Sequence, residues 1–246
     1  MVNLMRVGTM VLGMAAAAGL AAACDSDDGK TEAKTLTYTG TMVNALDSSP
    51  LAGVEICIVS PTGIPCVTTG ADGKYTLAGL PASTKVQATV TKADFYPVFA
   101  SFKTRTTDFT IDAVLLRIDL VKLAFTAAGI DLDESKGAIL VRAYDPALGL
   151  TSAVEGISGE VSPADSGDGP VYNSADSIPG DATSTSTSGT WAVVNLDAGT
   201  YQVKSSGDGR TCPGTFHWPG SNGADWIETP VRAGSVSYVY VDCPAD

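Results

Sequence analysis

The sequence has little of what side-chain catalysis uses most. It holds one histidine, His217, in 246 residues. A two-His, one-Glu zinc site therefore cannot be assembled. A Ser-His-Asp hydrolase would have to use the same His217, and no G-x-S-x-G nucleophile elbow occurs. Basic residues are also scarce: 15 Lys and Arg stand against 27 Asp and Glu, a net charge of −12. Lys and Arg never cluster, which excludes nucleic acid as a partner, because counterion-release binding needs them grouped. The acids are spread along the chain, as on a solvated surface. Five cysteines are present, none in C-x-x-C spacing, which argues against structural zinc. The uncharged run from Val7 to Leu20 is about 14 residues, short of the roughly 18 to 20 that a membrane-spanning helix needs.

That run carries a different message. Met1 to Arg6 has one positive charge and no acid, the apolar stretch follows, and small residues close it at Ala21-Ala22-Ala23-Cys24. This is the layout of a secretory signal over residues 1–23. Cleavage before Cys24 removes only Arg6 among the charged residues, so 14 basic and 27 acidic residues remain, a net of −13. Two readings of Cys24 stand, an acylated lipoprotein cysteine or a cysteine left over from an ordinary signal peptide. Cys57, Cys66, Cys212 and Cys243 allow three pairings. The local one, Cys57 with Cys66 and Cys212 with Cys243, is expected because the first pair flanks a turn at Pro61-Thr62-Gly63, and facing hairpin residues lie within disulfide reach. By chain entropy the shorter loop contributes about 3 kcal/mol and the longer about 4. With those four paired, Cys24 is the one thiol without a partner, which favours acylation, and the segment resembles the bacterial lipobox with Leu20 one place further back than usual. Thioether-linked diacylglycerol and an N-acyl chain would hold the protein to membrane lipid. Asp25 resembles an inner-membrane retention signal used in some bacteria, so the periplasmic face and the cell surface both stay open.

Residues 24–35 are nearly devoid of apolar side chains and read as a flexible tether. From Leu36 the pattern changes to short alternating runs, among them Val54–Ile58, Tyr75–Leu77 and Val86–Val90, punctuated by Gly, Pro, Asn and Asp every 8 to 12 residues. Such spacing predicts an antiparallel β-sandwich. Between Arg117 and Ala128, Ile118, Val121, Leu123, Ala124 and Phe125 fall near one helical face. A short amphipathic helix is expected there, with Gly129 just past its end, within a linker over 117–133. A second β-rich region, 134–246, repeats the first hairpin at an offset of 116: Gly73 to Gly189, Tyr75 to Trp191, Leu80 to Leu196, Ala82 to Ala198. Residues 162–188 read as a polar insertion with few strand signals.

Within 36–116, Pro50-Leu51-Ala52-Gly53-Val54, Thr68-Thr69-Gly70-Ala71-Asp72-Gly73-Lys74-Tyr75-Thr76-Leu77 and Phe95-Tyr96-Pro97 resemble the carboxypeptidase regulatory-like family. That resemblance implies a transthyretin-like β-sandwich. Asp72-Gly73 suits a tight turn with positive φ, with Tyr75 and Leu77 facing a core. Where that family reads Pro-Ala-Gly-x-Tyr, this chain has Pro81-Ala82-Ser83-Thr84-Lys85, so the turn must close differently. Gly199-Thr200-Tyr201 in the second region lies nearer the pattern.

The fold expected is all-β, two antiparallel sandwiches joined by a short helix. No catalytic residue, cofactor or metal site is expected. Asp131-Leu132-Asp133-Glu134 lacks EF-hand spacing and reads as solvated loop acids. The candidate ligand-binding residues are Phe216, His217, Trp218 and Trp226. They either stack on sugars from a rigid loop or plug a small core. The function expected is structural or protein-binding in a bacterial envelope, with envelope proteins as partners. The alternative is a polysaccharide or cell-wall module using those rings.

Overall fold

The computed structural model describes residues 34–149, 152–176, 178–207 and 209–244. Cys24 and the signal-like segment lie outside the described residues. Residues 33–246 form one compact unit. It is all-β apart from one helix, and it contains two sandwiches of matching plan.

The first holds β1 (Thr35–Asn44), β2 (Glu55–Ser60), β3 (Val67–Thr68), β4 (Lys74–Pro81), β5 (Lys85–Thr91), β6 (Val98–Lys103), β7 (Phe109–Thr110) and β8 (Ala113–Leu115). Helix α1 (Ile118–Ala127) follows. The second holds β9 (Gly137–Tyr144), β10 (Ser158–Ser162), β11 (Asp168–Asn173), β12 (Pro179–Gly180), β13 (Thr190–Leu196), β14 (Gly199–Gly207), β15 (Arg210–Thr211), β16 (Pro219–Gly220), β17 (Gly223–Val231) and β18 (Val236–Asp242). In each sandwich the first strand pairs antiparallel with the hairpin strand, β1 with β4 and β9 with β13. The opposing sheets are β2-β5-β6 and β10-β14-β17. The last strand of each unit returns beside the first in the same direction, β7 and β8 along β1, and β18 along β9. The sheets are therefore mixed rather than purely antiparallel.

The repeat extends to individual hydrogen bonds. The buried Thr69 hydroxyl donates to the Leu51 carbonyl at 2.6 Å and accepts from the Val54 amide at 2.9 Å. Thr185, 116 residues later, donates to the Val154 carbonyl at 2.8 Å and accepts from the Ile157 amide at 3.0 Å. Each threonine amide also bonds the same partner strand, Thr69 to the Val54 carbonyl and Thr185 to that of Ile157. Paired in this way, a buried hydroxyl has the loss of its hydration offset by two hydrogen bonds. The two hairpin glycines match as well. Gly73 has φ +73° and Gly189 φ +63°. A Cβ on Gly73 would lie 2.7 Å from the Met42 carbonyl oxygen, and one on Gly189 2.7 Å from that of Ala143. Both turns need glycine for its φ and for the close approach.

Sequence alternation survives where one face is buried. In β4, Tyr75 and Leu77 are buried and Thr76 is exposed. β13 departs from it, with Trp191, Ala192, Val193 and Val194 all buried. The cause is helix α1. Its Phe125, with Val121 beside it, covers the outer face of that sheet against Val171, Ala192 and Val194, so the strand is apolar on both faces. Gly129, at φ +78°, ends the helix. The Ile130 amide reaches back to the Phe125 carbonyl at 2.9 Å, a Schellman closure in which Ile130 also packs near Phe125. Leu123 does not join this face and is 68 % exposed, since it sits about 140° around the helix from Ile118 at the usual 100° per residue.

One further expectation is revised. The stretch 162–188 contains β11 and β12, and β11 extends the second sandwich by pairing with β13. Its only apolar anchors are Val171 and Tyr172, too few to show a period. The turn after Pro81 closes through Ser83 at φ +53°. The Thr104 hydroxyl stabilises it, donating to the Pro81 carbonyl at 2.6 Å and accepting from the Thr84 amide at 2.8 Å. The disulfides Cys57–Cys66 and Cys212–Cys243 are formed, with Cα atoms 4.2 and 4.5 Å apart.

The sandwiches meet edge to edge. Val236 of β18 pairs in parallel with Val98 of β6, and its amide donates to the Pro97 carbonyl at 2.8 Å. This joins β3-β2-β5-β6 to β18-β9-β13-β11-β12 as one nine-stranded sheet. Gly73→Ala and Gly189→Ala should each destabilise by more than the roughly 1 to 2 kcal/mol of left-handed strain alone. Gly53→Ala, at φ +71° with nothing within 4 Å of a new Cβ, should cost only that strain. Denaturant unfolding of the three variants checks the ordering, and equal losses would contradict the close-approach argument.

Candidate functional site

Trp226 lies within β17, and Phe216, His217 and Trp218 lie on the segment between β15 and β16. Cys212, bonded to Cys243, fixes its start, and the Asp242 amide donates to the Pro213 carbonyl at 2.8 Å, tying it to the end of β18. A tight turn follows, closed by the His217 amide on the Gly214 carbonyl at 2.9 Å. The segment is thereby projected onto β6 of the first sandwich. The Lys103 amide donates to the Phe216 carbonyl at 2.8 Å.

His217 is buried between the two sandwiches. Its Nδ1 lies 3.0 Å from the Ser101 carbonyl of β6, and its Nε2 lies 3.0 Å from the Tyr240 amide of β18. A carbonyl only accepts and an amide only donates, so the ring is the neutral tautomer with its proton on Nδ1. Both nitrogens are engaged. Burial lowers the His217 pKa to about 4, against the smaller opposite effect of the Ser101 carbonyl. A second proton on Nε2 would face the Tyr240 N–H.

The other rings are distributed as follows. Phe216 is half-buried, 5.8 Å from Phe109 between ring centres. The Arg105 guanidinium sits over both, 3.8 Å from the Phe109 centroid and 4.4 Å from that of Phe216, a cation–π contact that ties the last strand of one sandwich to the loop of the other. Trp218 is half-buried with its indole N–H buried and unpaired among the described residues, and Lys103 lies 5.5 Å from its ring. Trp226 stands on β17, half-buried, with Lys204 at 5.9 Å. The Lys85–Glu228 ion pair and Arg232, 3.9 Å over the Phe99 ring, also cross between sandwiches. Segment 216–218 thus contributes to the contact between the two repeats.

Sequence reasoning did not find Ser101, Arg105 or Tyr240. The one available signal was the alternation in Ser237-Tyr238-Val239-Tyr240-Val241. Val239 and Val241 belong to the second core, whereas Tyr238 packs against the first. Glu55 lies beside Cys57 and Cys66, but these sulfurs are bonded to each other and offer no thiolate to a metal. Asp133 accepts from the Ser135 amide at 2.8 Å and hydroxyl at 2.6 Å, which hold its carboxyl below the usual range.

No protein-family model matches the chain, and no curated protein matches it. Among solved structures it is similar to the minor pilin GBS52 of Streptococcus agalactiae, at 14% identity and a TM-score of 0.30 over 86% of this chain and 96% of that one. It is similar to the shaft pilin SpaA of Lactobacillus rhamnosus GG, at 12% identity and 0.28 over 86% and 98%. The TIE protein of Bacillus anthracis gives 11% identity and 0.30 over 85% of this chain, which spans 34% of that one. Scores of this size carry no inference about activity or partner.

The His217 geometry predicts an acid-sensitive contact. A histidine whose folded pKa is depressed takes up its proton on unfolding, so stability is full above the unfolded value of about 6.5 and falls as pH drops toward 4. The loss across that window is about 3 kcal/mol. Asp242, raised by burial, acts in the opposite sense, so the contribution is read as the difference between the native chain and His217→Gln. NMR titration of the single histidine gives the direct check. A midpoint near 6.5 would contradict the placement.

Proposed function

We propose that this chain is an exported lipoprotein of a bacterial envelope, cleaved before Cys24 and acylated there, with a structural or protein-binding role rather than a catalytic one. The observation that carries the reading is the cysteine pattern. Four of the five cysteines are bonded in two pairs, which leaves Cys24 as the thiol free for a thioether. Disulfides persist in oxidising compartments, in keeping with the secretory layout of residues 1–23. Against catalysis stands the commitment of the one histidine: with Nδ1 and Nε2 both bonded to backbone, it has no free nitrogen to act as a general base. The scaffold reading gains from the placement of Phe216 and His217 in the contact between sandwiches.

The carboxypeptidase regulatory-like resemblance fits the same proposal. We read both sandwiches as diverged members of that architecture, the second the better match at its Gly199-Thr200-Tyr201 turn, and neither carrying the catalytic part such a name evokes. Envelope proteins are the partners proposed.

Fractionation of cells expressing the full chain tests this. The native protein should partition with membranes, and Cys24→Ser should release it to the soluble fraction. Retention of Cys24→Ser in the membrane fraction would overturn acylation. Purified protein should also show no free thiol on denaturation.

A further inference from the structure

The first sandwich encloses a cavity of about 140 Å³ between its sheets. Its walls are almost wholly apolar, with Ile56, Leu77, Ala88 and Val90 among them. The cause lies in the last strand. It is broken at Ile111–Asp112 into β7 and β8, and there the Ile111 carbonyl turns inward to accept from the Tyr75 hydroxyl at 2.8 Å. Gly40 permits this, since a Cβ there would lie 1.9 Å from that carbonyl oxygen. Strands of two and three residues leave the sandwich edge open. Phe216, His217, Tyr238 and Tyr240 of the second sandwich line the gap.

The second sandwich solves the same problem differently. Its last strand is the unbroken seven-residue β18, and the Trp191 indole, in the place of Tyr75, occupies the space over Gly159. That indole is fully buried and donates to the Ser205 hydroxyl at 3.0 Å. In the first sandwich the corresponding space is open to a ligand. Val114, 39 % exposed, and Lys103 lie at the rim.

Size and polarity define what fits. An apolar cavity of about 150 Å³ stays dry and accepts benzene. Tyr238 lines the cavity while its hydroxyl is buried, so the hydroxyl offers an occupant no polar partner. We propose that this cavity is a binding site for a small apolar aromatic molecule of one ring, of the benzene or toluene class, with its ring among the aromatic walls. Aromatic walls favour a ring through edge and offset contacts. A long acyl chain exceeds a one-ring volume.

The full chain is titrated with benzene and with toluene, and binding is read by thermal shift and by NMR. Saturable binding of both is expected. Ala88→Leu, which fills the cavity from β5, should abolish both while circular dichroism stays unchanged. If that variant fails to fold, Ala100→Leu on the half-buried β6 wall carries the same decision. The proposal is overturned if neither ligand binds the native chain at millimolar concentration, or if binding survives in the filled variant.

Discussion

The fold depends on the meeting of β18 with β6. A strand that closes one sandwich by lying parallel to β9 also presents its other edge, and its Tyr238 and Tyr240, to the neighbouring sandwich. Exposed strand edges invite pairing with other chains. Here β18 and β6 protect one another, though through a single register pair. Segment 212–218 supplies what that pair lacks, with the Lys103–Phe216 backbone bond, the two bonds of His217 and the Arg105 stack. The Cys212–Cys243 bridge holds segment and strand together at their base, so the groups that dock on β6 arrive as one rigid piece.

That arrangement explains why two units of the same plan have unlike interiors. Both keep the buried threonine and the hairpin glycine that set the backbone. Beyond that skeleton the cores diverge. The second is closed by its own long last strand and filled by Trp191. The first has a broken last strand and borrows its closing wall from its neighbour, so its cavity and the junction share the same residues.

Much of the first level was legible in the sequence, because it is local. Asp72-Gly73 and Gly189 require a turn that only glycine permits, Tyr75 and Leu77 alternate as a half-buried strand does, and Cys57 and Cys66 face each other across a short loop. The offset of 116 made the second hairpin readable from the first. The junction was not legible. Val98 and Val236 are far apart in the chain, and neither residue type distinguishes an edge pairing from ordinary core. The aromatic segment was noticed for its composition, but composition does not say that His217 would find a carbonyl on one side and an amide on the other. β11 escaped because its sheet pairing rests on backbone and two apolar side chains.

The central claim is that the junction makes the two sandwiches one cooperative body. Native-state hydrogen exchange tests it most directly. The amides of Val90 in β5 and of Val193 in β13, each deep in its own sandwich, should open only through a shared global event of the same free energy. If the first sandwich exchanges through an opening of lower free energy while the second stays protected, the junction does not couple them and the account fails.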